Sequence, residues 1–266
     1  MTALLIIDPQ NDFYTGSLAI PTATTDAYTL SEAFRRHLAD IDTVVVSLDK
    51  HQLVDISHPI WWVDSDGKNP PPFTQITLAD MAAGRWRSSK PARQDHSRWY
   101  LQQLEERSGL THTIWPPHCL WGTWGANIEP YTAGVLTEWQ EFHERTVQYV
   151  EKGMNRYTEH FSAVRACVTT GDPATRTNRQ FVSSLEYRDA VLVAGQASSH
   201  CVAATVIDLI NEYSDRNNAR NIHLLTDAMS PVPGFEHLEE AFFGFAAGVG
   251  VRLTTCAEAF AQLRND

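Results

Sequence analysis

The sequence predicts an α/β fold: a doubly wound, Rossmann-like parallel sheet with helices on both faces, in three layers. Short apolar runs rich in β-branched residues recur along the chain, and amphipathic stretches with helical periodicity separate them. Runs that are apolar at nearly every position are typical of strands covered on both faces. The alternation of such strands with helices is typical of parallel sheets, and we see no internal repeat.

Seven runs are predicted as strands and five stretches as the helices that connect them. The predicted strands are ALLIID (3–8), TVVVSLD (43–49), HTIW (112–115), TVQYVEK (146–152), AVLVAG (190–195), IHLLTD (222–227) and GVRLTT (250–255). The predicted helices lie around 26–39, 95–108, 132–143, 200–213 and 236–247. A chain of 266 residues with 43% hydrophobic composition can bury one substantial core, so we predict a single domain over residues 1–266.

The stretch from about 59 to 111 fits this alternation poorly. It contains DSDGKNPPPF and GRWRSSKPAR before a helical segment, and is far longer than a usual loop of about two to six residues. We interpret it as an insertion at one sheet edge that forms a lid or an oligomer contact. Its basic residues could recognise an acidic group, although a solvated loop is the simpler interpretation; they are Arg85, Arg87, Lys90 and Arg93.

The charge balance favours small-molecule chemistry over nucleic-acid or membrane binding. The chain has 32 acidic and 21 basic residues, a formal net charge of −11, which repels nucleic acid and anionic lipid surfaces. The first residues, MTALLIIDPQ, lack a basic leader, and no window approaches the roughly 20 apolar residues of a membrane span. Four cysteines without CxxC pairing indicate free thiols in a reducing compartment, so we expect a cytoplasmic protein.

Polar residues follow the first two predicted strands, at the edge where parallel sheets bind ligands. Asp8 ends the first strand, although an Asp there can also be a turn former or a helix cap. Asp49 ends the second strand and His51 lies two positions further on. Residues i and i+2 of an extended chain face the same side, so this pair can converge on one cation. Such donors suit Zn²⁺, Mn²⁺ or Fe²⁺.

Two further histidines are candidate metal ligands. His118 follows two prolines in WPPHC, and this stiff backbone would hold an imidazole in place at little entropic cost. His58 precedes Pro59 and is either a fourth ligand or merely the last polar residue before the insertion. We predict His118 as the third ligand and interpret the adjacent Cys119 as a bystander.

A nucleophile is predicted in AVLVAGQASSHCV, where a strand runs into a small-residue turn and then into a helix. Cys201 lies at the start of that helix, whose N–H groups and dipole favour thiolate over thiol and could hold an oxyanion. A buried, inert cysteine is the alternative. Lys152 ends the fourth run and is either a solvated chain end or an ammonium that stabilises Asp8 and Cys201.

Together these motifs resemble the nicotinamidase branch of the isochorismatase-like cysteine hydrolases. DPQNDF, EKG and GQASSHCV match the motifs of the family's catalytic residues, which would be Asp8, Lys152 and Cys201. The D-x-H pair and WPPHC match its metal ligands, which would be Asp49, His51 and His118. Each motif is modest alone, but five in the right order are highly specific.

The resemblance implies an amidohydrolase for linear amides that converts nicotinamide to nicotinate and ammonia through a thioester, in NAD salvage. Asp8 would relay protons, Lys152 would hold the ion network, and the N–H groups of Ala197 and Cys201 would form the oxyanion hole. The peptide bond between Gln196 and Ala197 would be cis.

The resemblance also implies a cofactor, a substrate site and an assembly. One divalent ion, zinc before manganese or iron, would bind the pyridine nitrogen and orient the ring. Phe13 and Trp115 match the positions that sandwich the ring, although both could be plain core residues, and Gln10 is expected to contact the substrate as well. The expected partner is a small-molecule amide, and the chain is expected to form a homo-oligomer.

Three features depart from the family pattern. The turn reads Ala-Ser-Ser-His-Cys where many relatives have Ala-Thr-Asp, so a supporting carboxylate is missing and specificity can have drifted. The loop HQLVDISHP is longer before its second histidine than in many nicotinamidases, which leaves the role of His58 open. The segment 59–111 is larger than in compact members.

Other functions remain as alternatives. A relative acting on another small carboxamide, or on a carbamoyl or maleamate-like compound, is the first, although such relatives mostly lack the metal residues. An isochorismatase would lack the nucleophilic cysteine. A non-enzymatic scaffold would have lost at least one of Asp8, Lys152 and Cys201, and all three are present.

Overall fold

The centre of the fold is a six-stranded parallel sheet. The computed structural model describes residues 1–263, apart from the side chains of residues 107 and 108. The sheet runs in the order β6-β5-β4-β1-β2-β3, which is the strand order of the Rossmann fold and confirms the predicted fold class. Its strands are β1 (Thr2–Ile7), β2 (Thr43–Asp49), β3 (Gln148–Lys152), β4 (Ala190–Gly195), β5 (Ile222–Leu225) and β6 (Arg252–Thr254).

Helices cover both faces of the sheet because successive strand residues point to opposite sides. Leu5 and Ile7 of β1 share a core with α6, α7 and α8, whereas Leu4 and Ile6 share one with α2, α5 and α9. None of the helices in residues 1–263 is both long and apolar enough to cross a bilayer. The helices are α1 (Asn11–Tyr14), α2 (Ala23–Arg35), α3 (Leu78–Ala82), α4 (Gln94–Ser108), α5 (Pro130–His143), α6 (Arg179–Glu186), α7 (Ala203–Glu212), α8 (Glu236–Gly248) and α9 (Cys256–Gln262).

Local sequence signals set where several helices begin. Glu129 accepts a hydrogen bond from the Tyr131 N–H at 2.9 Å, and Pro130 occupies the first turn of α5, where its missing N–H costs nothing. Thr255 and Glu258 form a reciprocal capping box at the start of α9. Both helices therefore start where their first N–H groups find side-chain acceptors.

The run at 112–115 is not a strand of the central sheet, so that prediction is wrong. Only His112–Thr113 is extended, and it pairs antiparallel with Gln75–Ile76. The position beside β2 is filled by Gln148–Lys152, whose longer ladder leaves no room there for a second strand. The backbone N–H of Trp115 instead donates to the Ser57 carbonyl at 2.8 Å, so contacts with loops hold this run in place. The other six predicted runs all form the sheet.

The segment predicted as an insertion supplies most of the residues of a separate apolar cluster. Its short strands Trp62–Val63 and Arg87–Ser88 pair antiparallel, and the Trp61 indole donates to Ser97 Oγ at 2.9 Å. The Arg93 guanidinium lies 4.4 Å from the centroid of the Trp61 ring. The segment is thus more than a solvated loop. The buried cluster comprises Ile56, Trp61, Trp62, Ile76, Met81, Tyr100, Leu101, Leu104, Ile114 and Val168.

Gly195, the last residue of β4, sits where no side chain fits. Its φ is +115°, and a Cβ atom built there would lie 2.0 Å from the Ile7 carbonyl oxygen. That oxygen accepts the N–H of Gln196 at 2.8 Å, so the close approach helps to hold the turn after β4 against β1. A left-handed conformation and a backbone collision together require glycine.

We expect Gly195→Ala to lower the free energy of unfolding by at least about 3 kcal/mol, because the backbone must move and the strained φ remains. Gly234→Ala is the matched control: its φ is +87°, but no atom lies within 4 Å of the added Cβ. That variant should lose only about 1 kcal/mol. Urea denaturation of both proteins would check this, and equal losses would contradict the steric explanation.

Candidate active site

Four neighbouring strands bring the candidate catalytic residues and one candidate metal ligand together at their carboxyl ends. Asp8 follows β1, Asp49 ends β2, Lys152 ends β3, and Cys201 lies six residues beyond β4. The strand order reverses between β1 and β4, which is where open α/β sheets form a ligand-binding crevice. Topology alone therefore explains why residues so distant in sequence meet.

Lys152 is the centre of a buried ion network. Its Nζ lies 2.9 Å from Asp8 Oδ2, 3.0 Å from Asp49 Oδ1 and 3.5 Å from Cys201 Sγ. Burial alone would lower the pKa of Lys152, but the carboxylates of Asp49 and Asp8 outweigh it and raise the pKa well above its usual value. Lys152 is therefore a buried cation and not a solvated chain end.

Asp8 is fully buried at the end of β1. Its Oδ1 accepts a hydrogen bond from Ser47 Oγ at 2.6 Å, and its φ of +46° is one that aspartate tolerates better than most residues. Burial raises the pKa of the Asp8 carboxyl, and the charge of Lys152 opposes that rise only in part. A carboxyl with a raised pKa is better suited to accept and return a proton near neutral pH.

Cys201 occupies a π-helical turn, Ser198–Val202, that leads directly into α7. Burial raises the pKa of its thiol well above the usual value, although the Lys152 ammonium works in the opposite direction. Burial thus opposes the thiolate that the helix N-terminus and the Lys152 ammonium favour, and the thiolate character of Cys201 stays a prediction. The Asp8 carboxyl lies beside this sulfur and could take the thiol proton.

The turn between β4 and Cys201 is held by side chains from distant helices. The peptide bond between Gln196 and Ala197 is cis, as the resemblance implies. Gln196 Nε2 donates to Asp26 Oδ2 at 2.8 Å, and Ser198 Oγ donates to Glu239 Oε1 at 2.5 Å. Glu239 of α8 thus places a carboxylate against the Ala-Ser-Ser turn. Sequence reasoning missed it because no local motif marks a residue 41 positions away.

The predicted oxyanion donors, the N–H groups of Ala197 and Cys201, belong to this turn. The Ser198 N–H is engaged by the Ser230 carbonyl at 3.0 Å, and the Val202 N–H by the Ala197 carbonyl at 3.1 Å. Ala197 and Cys201 both line the pocket described below. Their N–H groups as oxyanion donors therefore stay a prediction that the geometry allows.

A buried group of three residues adjoins this network and could bind a metal ion. The ligand atoms of Asp49, His51 and His118 all lie within 4.8 Å of one another. Asp49 Oδ2 is 3.1 Å from His51 Nε2 and 3.3 Å from His118 Nε2. Tetrahedral zinc bonds of about 2.0–2.2 Å place neighbouring donors about 3.4 Å apart, so these separations suit a small divalent cation.

Both histidines turn the same ring nitrogen toward the group. His51 Nδ1 lies 3.2 Å from Asp55 Oδ2, and His118 Nδ1 lies 2.9 Å from the Pro116 carbonyl oxygen. A proton on each Nδ1 would leave the Nε2 lone pairs free for a metal, the usual arrangement of histidine ligands. Asp55, fully buried, is a supporting residue that sequence reasoning missed, and its only signal was its position four residues after His51.

His58 lies beside the triad but outside it. Its ring centroid is 5.2 Å from that of His51 and 5.7 Å from that of His118. Its Nδ1 lies 3.2 Å from the Leu53 carbonyl oxygen, while Nε2 is buried without a hydrogen-bond partner in residues 1–263. Burial lowers the pKa of His58 to about 3, so the ring is neutral. Its use as a fourth ligand stays a hypothesis.

A pocket connects the triad to the cysteine. Phe13 and Trp115, the predicted ring walls, both line it, whereas the predicted substrate contact Gln10 does not. The Gln10 amide instead donates to the Asp49 carbonyl and accepts from the Asp49 N–H, both at 2.6 Å, and so holds Asp49 in place. The lining also includes two residues that sequence reasoning missed, Glu159 and His200. The full lining is Phe13, Leu18, Asp49, Trp115, His118, Glu159, Phe161, Ala197, His200, Cys201 and Val232.

We expect Asp55→Asn to weaken metal binding by about 10- to 100-fold, because the carboxylate that orients His51 is lost. Competition with a chromogenic chelator would measure the affinity of the metal-loaded protein. Asp64→Asn, in the segment 59–111, is the control and should bind as tightly as the wild type. Equal affinities of all three proteins would show that Asp55 does not support the site.

No protein-family model matches the chain, and no curated protein matches it by sequence. Solved structures match its fold. The Acinetobacter baumanii nicotinamidase/pyrazinamidase is 20% identical, with a TM-score of 0.64 over 97% of each chain. The yeast nicotinamidase is 19% identical, with a TM-score of 0.65 over 96% of this chain and 99% of that one. The Pyrococcus horikoshii pyrazinamidase in complex with zinc is 17% identical, with a TM-score of 0.56 over 96% and 98%.

The class that fold and site define is that of a three-layer α/β protein with a buried candidate metal site at the carboxyl ends of its parallel strands. Its structural neighbours are nicotinamidases and pyrazinamidases, and it carries a buried Asp-His-His group that could bind a metal. At 17–20% identity these neighbours show a shared fold.

Proposed function

We propose that the protein is a metal-containing cysteine amidohydrolase that converts nicotinamide to nicotinate and ammonia through a Cys201 thioester. The observation that carries this proposal is the position of Lys152, which contacts Asp8, Asp49 and Cys201 at once. One ammonium thereby joins a nucleophile, a proton acceptor and a metal ligand around one aromatic pocket. An ion network with a purely structural role would not need a cysteine that also lines the pocket.

The first half of the reaction uses Asp8 and Cys201. Asp8 takes the thiol proton as Sγ attacks the carboxamide carbon, and Lys152 stabilises the negative charge on both groups. The N–H groups of Ala197 and Cys201 stabilise the oxyanion. Asp8 then returns the proton to the leaving nitrogen, so that the C–N bond breaks, ammonia leaves and the acyl group stays on sulfur.

The second half releases the acid. Asp8 takes a proton from a water molecule whose oxygen attacks the thioester carbon, and the same N–H groups stabilise the new oxyanion. Collapse of this species breaks the C–S bond, and the sulfur recovers the proton from Asp8. The raised pKa of Asp8 suits a group that must accept and return a proton in each half.

Asp49, His51 and His118 would hold one divalent ion, for which we propose zinc before manganese or iron because a compact Asp-His-His donor set suits it. When bound, the ion would supply a Lewis-acid contact for the pyridine nitrogen, which orients the ring and draws electrons from it. Phe13 and Trp115 would then enclose the ring.

Ammonia release from nicotinamide by the purified protein tests the proposal directly, with one sample as isolated and one treated with a chelator. We expect release in the first sample and its loss in the second, with recovery on adding Zn²⁺. No release from nicotinamide but hydrolysis of another small carboxamide or carbamoyl compound would replace the substrate and keep the mechanism. No hydrolysis of any amide by the metal-loaded protein would refute the proposed function.

A further inference from the structure

Two residues that line the pocket, Glu159 and Trp115, each carry a buried polar atom that has no part in the proposed reaction. The Glu159 carboxyl is 4% exposed, and its Oε1 accepts the His160 N–H at 2.9 Å. Its Oε2 is buried without a hydrogen-bond partner in residues 1–263, and the same holds for the Trp115 indole Nε1. The residues that line the pocket thus include one hydrogen-bond acceptor, Glu159 Oε2, and one donor, Trp115 Nε1, without partners.

Such atoms are costly for a folded protein. A buried polar atom without a partner destabilises the native state by about 1–3 kcal/mol, so native proteins keep few of them. Glu159 and Trp115 both line the pocket that also contains Asp49 and Cys201. A ligand in that pocket is the simplest source of the missing partners, with buried water as the alternative.

Nicotinamide does not supply those partners. In the proposed complex its ring nitrogen faces the metal group and its carboxamide faces Cys201 and the turn, so only C–H bonds remain around the ring. An unsubstituted ring would leave Glu159 Oε2 and the Trp115 indole N–H unpaired in the complex. Sites with buried hydrogen-bonding groups discriminate strongly against ligands that leave them unpaired.

We propose that Glu159 and Trp115 recognise a hydroxyl or amino group on the ring, so that the preferred substrates are heteroaromatic carboxamides with such a substituent. This inference rests on the proposed function. A hydroxyl can donate to Glu159 Oε2 and accept from the Trp115 N–H, whereas an amino group on an aromatic ring mainly donates. The carboxyl can accept in either protonation state.

The test compares kcat/KM for nicotinamide with kcat/KM for ring-hydroxylated and ring-aminated nicotinamides, one isomer for each ring position. We expect the wild type to prefer at least one hydroxylated isomer by about tenfold or more, as one buried hydrogen bond allows. Glu159→Leu should abolish the preference for both substituents. Glu159→Gln, which keeps an acceptor of the same size, should retain part of it.

Trp115→Phe separates the two contacts, because it keeps an aromatic wall and removes only the N–H. We expect it to reduce the preference for the hydroxyl more than the preference for the amino group. Each preference is a ratio of two substrates measured on one protein, so partial misfolding cancels. Melting temperatures would confirm that each variant is folded.

Two outcomes distinguish this inference from the function on which it rests. Hydrolysis of nicotinamide with the same substrate ratios in wild type and Glu159→Leu would overturn the inference and would mean that water satisfies the two atoms. Failure of every pyridine carboxamide would overturn the proposed function and the inference with it.

Discussion

Cys201→Ala is expected to remove amide hydrolysis, with kcat falling by about 10,000-fold or more, as when a nucleophile is removed from other covalent hydrolases. The reason is chemical: without Sγ no thioester can form, and the Lys152 ammonium and the Asp8 carboxyl have no sulfur to act on. Ammonia release under saturating substrate would measure the loss. Isothermal titration with nicotinamide should still detect binding, because the aromatic walls and the triad remain.

Cys256→Ala is the matched control for that experiment. Cys256 is buried in the layer formed by α2, α5 and α9, which lies on one face of the sheet and takes no part in the pocket. It should keep wild-type kcat while losing a little stability to the small cavity. Full activity of Cys201→Ala would exclude the thioester mechanism, whichever substrate is used.

Lys152→Met is expected to lower both stability and activity. It removes the cation but keeps much of the side-chain volume, and leaves the carboxyl groups of Asp8 and Asp49 buried without their charge partner. Breaking a buried ion pair in this way costs about 3–5 kcal/mol. Urea denaturation of metal-free protein would measure the loss, and kcat should fall by at least about 100-fold with it, since the ammonium no longer stabilises the charged groups.

The stability lost in Lys152→Met should depend on pH in a defined direction. Without the ammonium, the folded-state pKa of Asp8, already raised by burial, rises further above its unfolded value. The folded variant then binds more protons than the unfolded chain, so its stability falls as pH rises through that folded-state pKa. We expect a larger stability deficit against wild type at pH 8 than at pH 5. A deficit that grew on acidification would contradict this account.

Lys50→Met provides the comparison within the same sheet region. Lys50 pairs with Glu151, whose side chain is 48% exposed, and its ammonium also lies 4.2 Å from the centroid of the Trp121 ring. The Lys50 side chain is 14% exposed, but Glu151 is open to solvent, so the pair should contribute at most about 1 kcal/mol. A loss for Lys50→Met as large as that for Lys152→Met would mean that burial of the network has no special role.

Sequence reasoning could place the candidate residues at the strand ends because each motif lies within a few residues of its strand. The spacing of Asp49 and His51 and the turn before Cys201 are local, and parallel strands bring such ends to one edge whatever the details of packing. The same reasoning failed for HTIW, because a β-rich run of four residues does not reveal whether its partner is the central sheet or a nearby hairpin. His112–Thr113 pairs with Gln75–Ile76, which belongs to the long segment before it in the chain.

The supporting residues could not be predicted, because each acts across a large sequence distance or through burial. Glu239 reaches Ser198 from α8, and Glu159 enters the pocket from a loop with no motif of its own. The protonation of Cys201 depends on how completely the fold excludes water from its sulfur. Helix-end position alone counts the local dipole and omits desolvation, which opposes the thiolate.

The pairing of Gln75–Ile76 with His112–Thr113 limits how this protein could be shortened. The Ile114 N–H donates to the Thr74 carbonyl at 2.9 Å, and the Ile114 carbonyl accepts from the Phe73 N–H. The start of the loop IWPPH (114–118) is therefore held in place by the segment before it. Excision of residues 59–111 would remove one of the contacts that hold the loop of Trp115 and His118 in place. Residues 59–111 thus support one wall of the pocket. A truncated protein should lose the metal binding proposed for Asp49, His51 and His118 before it loses its central sheet.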